Sequence, residues 1–210
     1  MLGTHDLLTF ILAGLLLNIT PGADTLYIVG RSTCRGLRSG VVAALGIGAG
    51  CIVHIVAAAI GLSAILATSS TAFTLVKYVG AAYLAYLGLS MLVSPGEEKE
   101  VHLKTPMESL SKVFWQGFLT NVLNPKVALF FLAFLPQFIA PETQAKWITM
   151  LFLGFLFNFN GTLWNLFVAW SSARMSKKVK MSNRLGGWLR RMCGGVFIYF
   201  GIKLVLSENE

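Results

Sequence analysis

Two short polar runs interrupt long apolar ones, Asn18-Ile-Thr-Pro-Gly-Ala-Asp24 and Asn121-Val-Leu-Asn-Pro-Lys126. Each places a proline inside a helical pattern. Pro21 has no N–H to offer the carbonyl of Leu17, Pro125 none for that of Asn121, and each ring pushes its turn open. Gly22 removes the stiffness that remains. A helix broken in this way presents carbonyls from one half and N–H groups from the next, partners that suit an ammonium and a carboxylate respectively. Thr20, Asn18, Asn121 and Asn124 add side-chain donors and acceptors at the same two places.

Asp24 is the one acid set well inside an apolar run, where it costs about 2.5–3.5 kcal/mol at the centre of a membrane helix. It reads as a substrate- or proton-binding group, or as a cap on the N–H groups of the second half-helix. Lys126 stands at the start of a half-helix, opposing its dipole, so something must compensate it. A substrate carboxylate would do so, and so would Asp24, although at about 1.5 Å per residue the two side chains start about 10 Å apart in depth. A structural ion pair or a cap on backbone carbonyls is the plainer role for Lys126. Asn18-Ile-Thr matches a glycosylation acceptor, but it lies within the apolar run and is followed by Pro, so the match is set aside.

Two further stripes carry polar groups. Asn158, Thr162 and Asn165 recur at i, i+4 and i+7 in a run rich in Phe, Leu and Trp; they either line a path or bond between helices. Ala43, Gly46, Gly50 and His54 form another stripe, whose small residues predict close helix packing. His54 is of the residue type that suits a proton relay, with a hydrogen-bonded structural histidine as the alternative.

These groups need elements to hold them, and composition says which. Of 210 residues 55% are apolar and 12% charged, against about 25% charged in soluble domains. Apolar stretches of membrane-spanning length recur along the whole chain. They predict an all-α membrane protein with six transmembrane helices at about 6–29, 39–66, 72–93, 113–135, 147–171 and 189–206, the first and fourth interrupted at Pro21 and Pro125. One transporter domain fills 1–210. The N-terminal run lacks a basic segment before Arg31 and is expected to be a retained helix, not a secretory signal.

Thirteen of the 17 Lys and Arg lie in three connections, 30–38, 94–112 and 172–189 with its edges, and one, Lys146, in the others. That asymmetry places the three basic connections in the cytoplasm and both termini outside. The net charge of +8 shows no basic face interleaved with aromatics, which argues against nucleic acid. Cys34, Cys51 and Cys193 show no pairing pattern, and with His5, His54 and His102 they predict neither a metal site nor a cofactor.

The two halves, 1–93 and 113–206 around a cytoplasmic linker at 94–112, resemble each other. Gly14-Leu-Leu-Leu-Asn18 before Pro21 parallels Gly117-Phe-Leu-Thr-Asn121 before Pro125, and the run 86–93 parallels 199–206. With three spans per half the repeats are inverted, and matched interruptions in such repeats point to a transporter's substrate site.

Thr20-Pro-Gly-Ala-Asp24-Thr-Leu, Gly46-Ile-Gly-Ala-Gly50, the run 80–88 and Asn124-Pro-Lys126 leading on to Pro136-Gln-Phe138 resemble the lysine-exporter and homoserine/threonine-resistance (LysE/RhtB) family over nearly the whole chain. Ala23 stands where that family's pattern has a second proline. The resemblance implies proton-driven export of amino acids, neutral ones such as homoserine or threonine, across a bacterial inner membrane. It places the substrate at the two motifs and leaves room for a homo-oligomer. An exporter of another small metabolite, a passive channel and a membrane thiol-redox carrier are the competing classes; the last needs paired reactive cysteines in symmetric helices.

Overall fold

The computed structural model describes residues 3–62, 109–140 and 142–174, with scattered positions between 71 and 93 and between 195 and 205. Most of the spans expected at 72–93 and 189–206, of the linker and of the basic connection 172–189 lies outside the described residues.

Helix α1 (Leu7–Ile19) is apolar almost throughout and stops where Thr20, held extended ahead of Pro21 (φ −64°, ψ 119°), cannot continue it. Helix α2 (Ala23–Arg35) starts after the extended Gly22 and runs on at 53° to α1. It ends at Gly36, whose φ of 79° requires glycine, and α3 (Leu37–Ala57) begins at the next residue. A π turn, Ala58–Leu62, extends α3.

In the second half, α4 (Leu110–Val122) is capped by Ser109, whose Oγ accepts from Lys112 N. Helix α5 (Pro125–Leu129) carries proline at its first position, where no N–H is missed, and Asn124 as its cap. It continues through a π turn (Phe130–Phe134) and a 3-10 turn (Leu135–Phe138), bent 47° from α4. Helix α6 runs unbroken over Lys146–Arg174. No strand occurs among the described residues. Among the described residues two helices are long and apolar enough to cross a membrane, and up to four spans result if each bent pair is counted as one.

The basic connection expected at 30–38 shrinks to the single joint Gly36. Arg31 lies inside α2, 4% exposed, because a guanidinium can be held there: its Nη2 donates to Gln116 Oε1 and it lies 5.2 Å from the Tyr27 ring. Arg35 closes α2 and Arg38 opens α3.

Helix α3 packs against α2, α4 and α6. Its stripe of small residues serves the packing expected of it: a Cβ at Gly46 would collide with the Phe114 carbonyl, and one at Gly50 would lie 2.6 Å from the Phe118 carbonyl oxygen. From the other side, a Cβ at Gly117 would lie 2.7 Å from the Ala43 carbonyl oxygen. Two apolar clusters result. One gathers Phe10, Leu17, Ile55, Phe130, Phe131, Phe134 and Phe157; the other gathers Ile28, Ala43, Ile47, Val113 and Ala169. Phe155, Phe159, Leu163, Phe167 and Trp170 form an exposed stripe along α6, as a lipid-facing surface requires.

A candidate substrate site between two helix breaks

The chemistry-bearing residues of the two polar runs meet where the breaks face each other. Pro21 leaves the Leu17 carbonyl without its helical donor, and Lys126 Nζ supplies one, at 2.8 Å, together with a second bond of 2.9 Å to Thr20 O. Thr20 turns its own hydroxyl back to Leu16 O at 2.7 Å. At the other break the Asn121 carbonyl, which Pro125 cannot serve, accepts from His54 Nε2 at 3.0 Å and from Asn124 N at 2.9 Å. A carbonyl only accepts, so His54 carries its proton on Nε2 in this bond.

Asp24, in the first turn of α2, completes the bracing. Its Oδ2 accepts from Asn121 Nδ2 at 2.8 Å and from Asn124 Nδ2 at 3.1 Å, while Asn124 Oδ1 caps Lys126 N at 3.1 Å. The carboxylate therefore binds the second break and the ammonium binds the first. The depth offset estimated between Asp24 and Lys126 is met by this arrangement, in which each engages the opposite break.

Between them lies a cavity of about 40 Å³, room for a few waters at the roughly 10–15 Å³ each requires. Asn18, Gly22, Asp24, Asn121, Asn124, Lys126, Asn158 and Asn165 line it, with Leu17, Ile47, Cys51, Val127 and Phe157 as apolar wall. Three buried atoms of its lining have no hydrogen-bond partner: the acceptors Asp24 Oδ1 and Asn121 Oδ1, and the donor Asn18 Nδ2. Buried polar atoms are ordinarily paired, and here three unpaired ones belong to residues that line one cavity.

The other expected residues are placed less centrally. Pro21 and Pro125 are exposed on the outer side of their breaks and act through the backbone. Thr162 is turned to Gly48 and approaches Asn158 Oδ1 at 3.5 Å, while Asn158 Nδ2 donates to Gly48 O at 3.2 Å. His54 stands behind Asn121, its ring stacked near Phe131.

Two participants escaped the sequence reading. Gly161 lines the cavity, and a Cβ there would lie 3.0 Å from Asn18 Oδ1; its spacing with Asn158 and Asn165 offered the signal, but a glycine adds no polar group to a stripe. Gln116 holds Arg31 and accepts from Tyr27 Oη at 3.3 Å, and no pattern in sequence links residues so far apart.

Long apolar helices and apolar bent pairs, cross-linked by buried polar groups around a small cavity, define a class, the multi-pass membrane protein. The profile of the LysE type translocator family matches residues 15–208, and the chain belongs to that family. It is 24% identical to the leucine efflux protein of Klebsiella pneumoniae, over 99% of this chain and 98% of that one. It is 32% identical to the homoserine/homoserine lactone efflux protein of Salmonella typhimurium, over 69% of each chain, and 30% identical to the uncharacterized membrane protein YrhP of Bacillus subtilis, over 97% and 100%. No solved structure gives a significant match.

Proposed function

We propose that this protein exports amino acids with uncharged side chains from the cytoplasm across the inner membrane, in exchange for protons. The observation that carries the proposal is the trio of unpartnered buried atoms on residues that line one cavity. Asp24 Oδ1 and Asn121 Oδ1 offer acceptors to a ligand's N–H or O–H donors, and Asn18 Nδ2 offers a donor to a carboxylate. Asp24 and Lys126 bring opposite formal charges to the wall, which favours a zwitterion over a net ion. The apolar wall of Ile47, Val127 and Phe157 suits an uncharged side chain, in keeping with the leucine and homoserine named for the efflux proteins it resembles.

Each bent pair is one interrupted span in this proposal, and the two halves are inverted repeats rocking about the site. Asn124, Thr20 and Gly22 shape the breaks, Asn158 and Asn165 complete the wall, and Asp24 is the proton-coupling group. His54, bonded to the Asn121 carbonyl, positions the second break. Exchanging one proton for a zwitterion moves one charge, worth about 2.3 kcal/mol per 100 mV. That supports a gradient of about fifty-fold without ATP.

Cells loaded with leucine- or homoserine-containing dipeptides test this. Efflux of the free amino acid is expected to depend on this protein and to collapse with a protonophore. Asp24→Asn keeps one oxygen for Asn121 and Asn124 but removes the titrating group. With a charge-assisted bond worth about 1.5–3 kcal/mol, efflux is expected to drop by roughly 10- to 150-fold at unchanged membrane content. Normal proton-driven efflux from a correctly inserted Asp24→Asn protein would leave Asp24 as a helix cap and nothing more.

A further inference from the structure

Pro21 deletes the N–H that would bond the Leu17 carbonyl, and the group now in its place is an alkylammonium. Lys126 Nζ sits on Leu17 O at 2.8 Å and Thr20 O at 2.9 Å, at the negative end of the α1 dipole. An amino acid carries the same chemical group, with the same three donors and the same charge. The cavity beside this seat has room for a few waters. The place an ammonium would take at the two carbonyls is thus filled by a group of the chain itself.

We propose that Lys126 is a tethered stand-in for the substrate's ammonium. It fills the carbonyl cradle while the carrier is empty and yields it when an amino acid arrives. The inference rests on the amino-acid reading of the same cavity and deepens it. An empty carrier that reoriented with bare Leu17 and Thr20 carbonyls would hold unsatisfied backbone at membrane depth, which is strongly penalised. With Lys126 seated, that obstacle is gone, and the substrate-free form, with its proton on Asp24, returns for the next molecule. Net export follows, where a carrier without the stand-in is confined to one-for-one exchange. Lys126 lines the cavity, so once displaced it stays within reach of the substrate's carboxylate, and a zwitterion compensates both the cradle and the lysine.

The test uses the full-length protein in liposomes under a proton gradient, loaded with saturating labelled leucine or homoserine. Net efflux into substrate-free buffer is compared with exchange against the unlabelled amino acid outside. Lys126→Ala is expected to lower net efflux roughly tenfold or more, the loss of a charge-assisted bond, and to lower exchange far less. Methylammonium is expected to restore net efflux by filling the vacated seat, and tetramethylammonium, which has no N–H, to leave it low. Lys126→Met, which keeps the packing, is expected to show the same split between net efflux and exchange. Equal loss of both modes without rescue, or loss of neither, would overturn the stand-in role. Wild-type protein that moves no amino acid in either mode would overturn the export proposal itself, and the stand-in with it.

Discussion

At the scale of residues, the site is a set of exchanged partners. Each freed carbonyl takes a donor from the other half of the chain: Leu17 from Lys126, and Asn121 from His54. Asp24 then ties the start of α2 to Asn121 and Asn124. The atoms proposed to meet the substrate are left over from this bracing, so small displacements of their neighbours are expected to alter binding without undoing the fold. Gly161 is the sharpest case. A methyl group there would meet the Asn18 amide at 3.0–3.2 Å, which forces a shift of a few tenths of an ångström in Asn18 Nδ2, the unpartnered donor of the cavity's lining. Gly161→Ala is therefore expected to weaken apparent affinity by about 1 kcal/mol, roughly fivefold, with transport rate at saturation and thermal stability near wild type. A concentration series of uptake into inverted vesicles measures it; unchanged affinity would remove Asn18 from the substrate's contacts. The residues of the site were largely legible because proline, asparagine and isolated charges inside apolar runs are chemically conspicuous. Which atom each would engage was not, since a carbonyl freed at Leu17 does not say which of the distant cations will reach it.

At the scale of elements, the site depends on α3 and α4 lying closer together than ordinary side chains permit. Gly46, Gly50 and Gly117 allow this, and His54 reaches the Asn121 carbonyl only because the backbones are so near. The stripe Ala43, Gly46, Gly50, His54 could be read from its spacing alone. The extent of α2 could not, because three arginines between apolar runs look like a loop until Gln116 and Tyr27 are seen to hold Arg31. Overpacking the seam is expected to cost about 1–3 kcal/mol. Gly50→Val would set a Cβ 2.6 Å from the Phe118 carbonyl oxygen and 3.0 Å from Asn121 Cβ, and thus lower the melting temperature in detergent together with transport. Gly61→Ala, where a Cβ meets nothing within 4 Å, serves as the control and is expected to leave both unchanged. Equal melting temperatures for the two variants would mean that the seam yields without cost.

At the scale of the whole molecule, the directions of the helices constrain how the chain is threaded. The two bent pairs run antiparallel: Tyr27 Oη bonds Val113 O at 2.8 Å at one end, and Ala140 N bonds Gly3 O at 2.8 Å at the other. Helix α3 runs alongside α4 in the same direction, since Gly46 meets Phe114, Gly50 meets Phe118 and His54 meets Asn121. It opposes α6, with Gly40 near Ala169 and Gly154 near Ile55. If α3 and α4 cross a membrane in the same sense, the chain between 62 and 110 must cross it an odd number of times, and the apolar run at 72–93 provides for one crossing. Such a threading would make the halves inverted, each opening with a bent span. The charges of Arg31, Arg35 and Arg38 predict a cytoplasmic junction of α2 and α3, with residue 3 and the end of the second bent pair then expected to face outward. A reporter active only in the cytoplasm is accordingly expected to be bright when fused after Arg38 or after Lys180, and dark when fused after Ala140 or at the C-terminus. A bright fusion after Ala140 would reverse the orientation of the second bent pair, and with it the antiparallel arrangement on which a site shared between two breaks depends. A bright C-terminus with Ala140 dark would instead remove only the last crossing, leaving the site intact and the repeat incomplete.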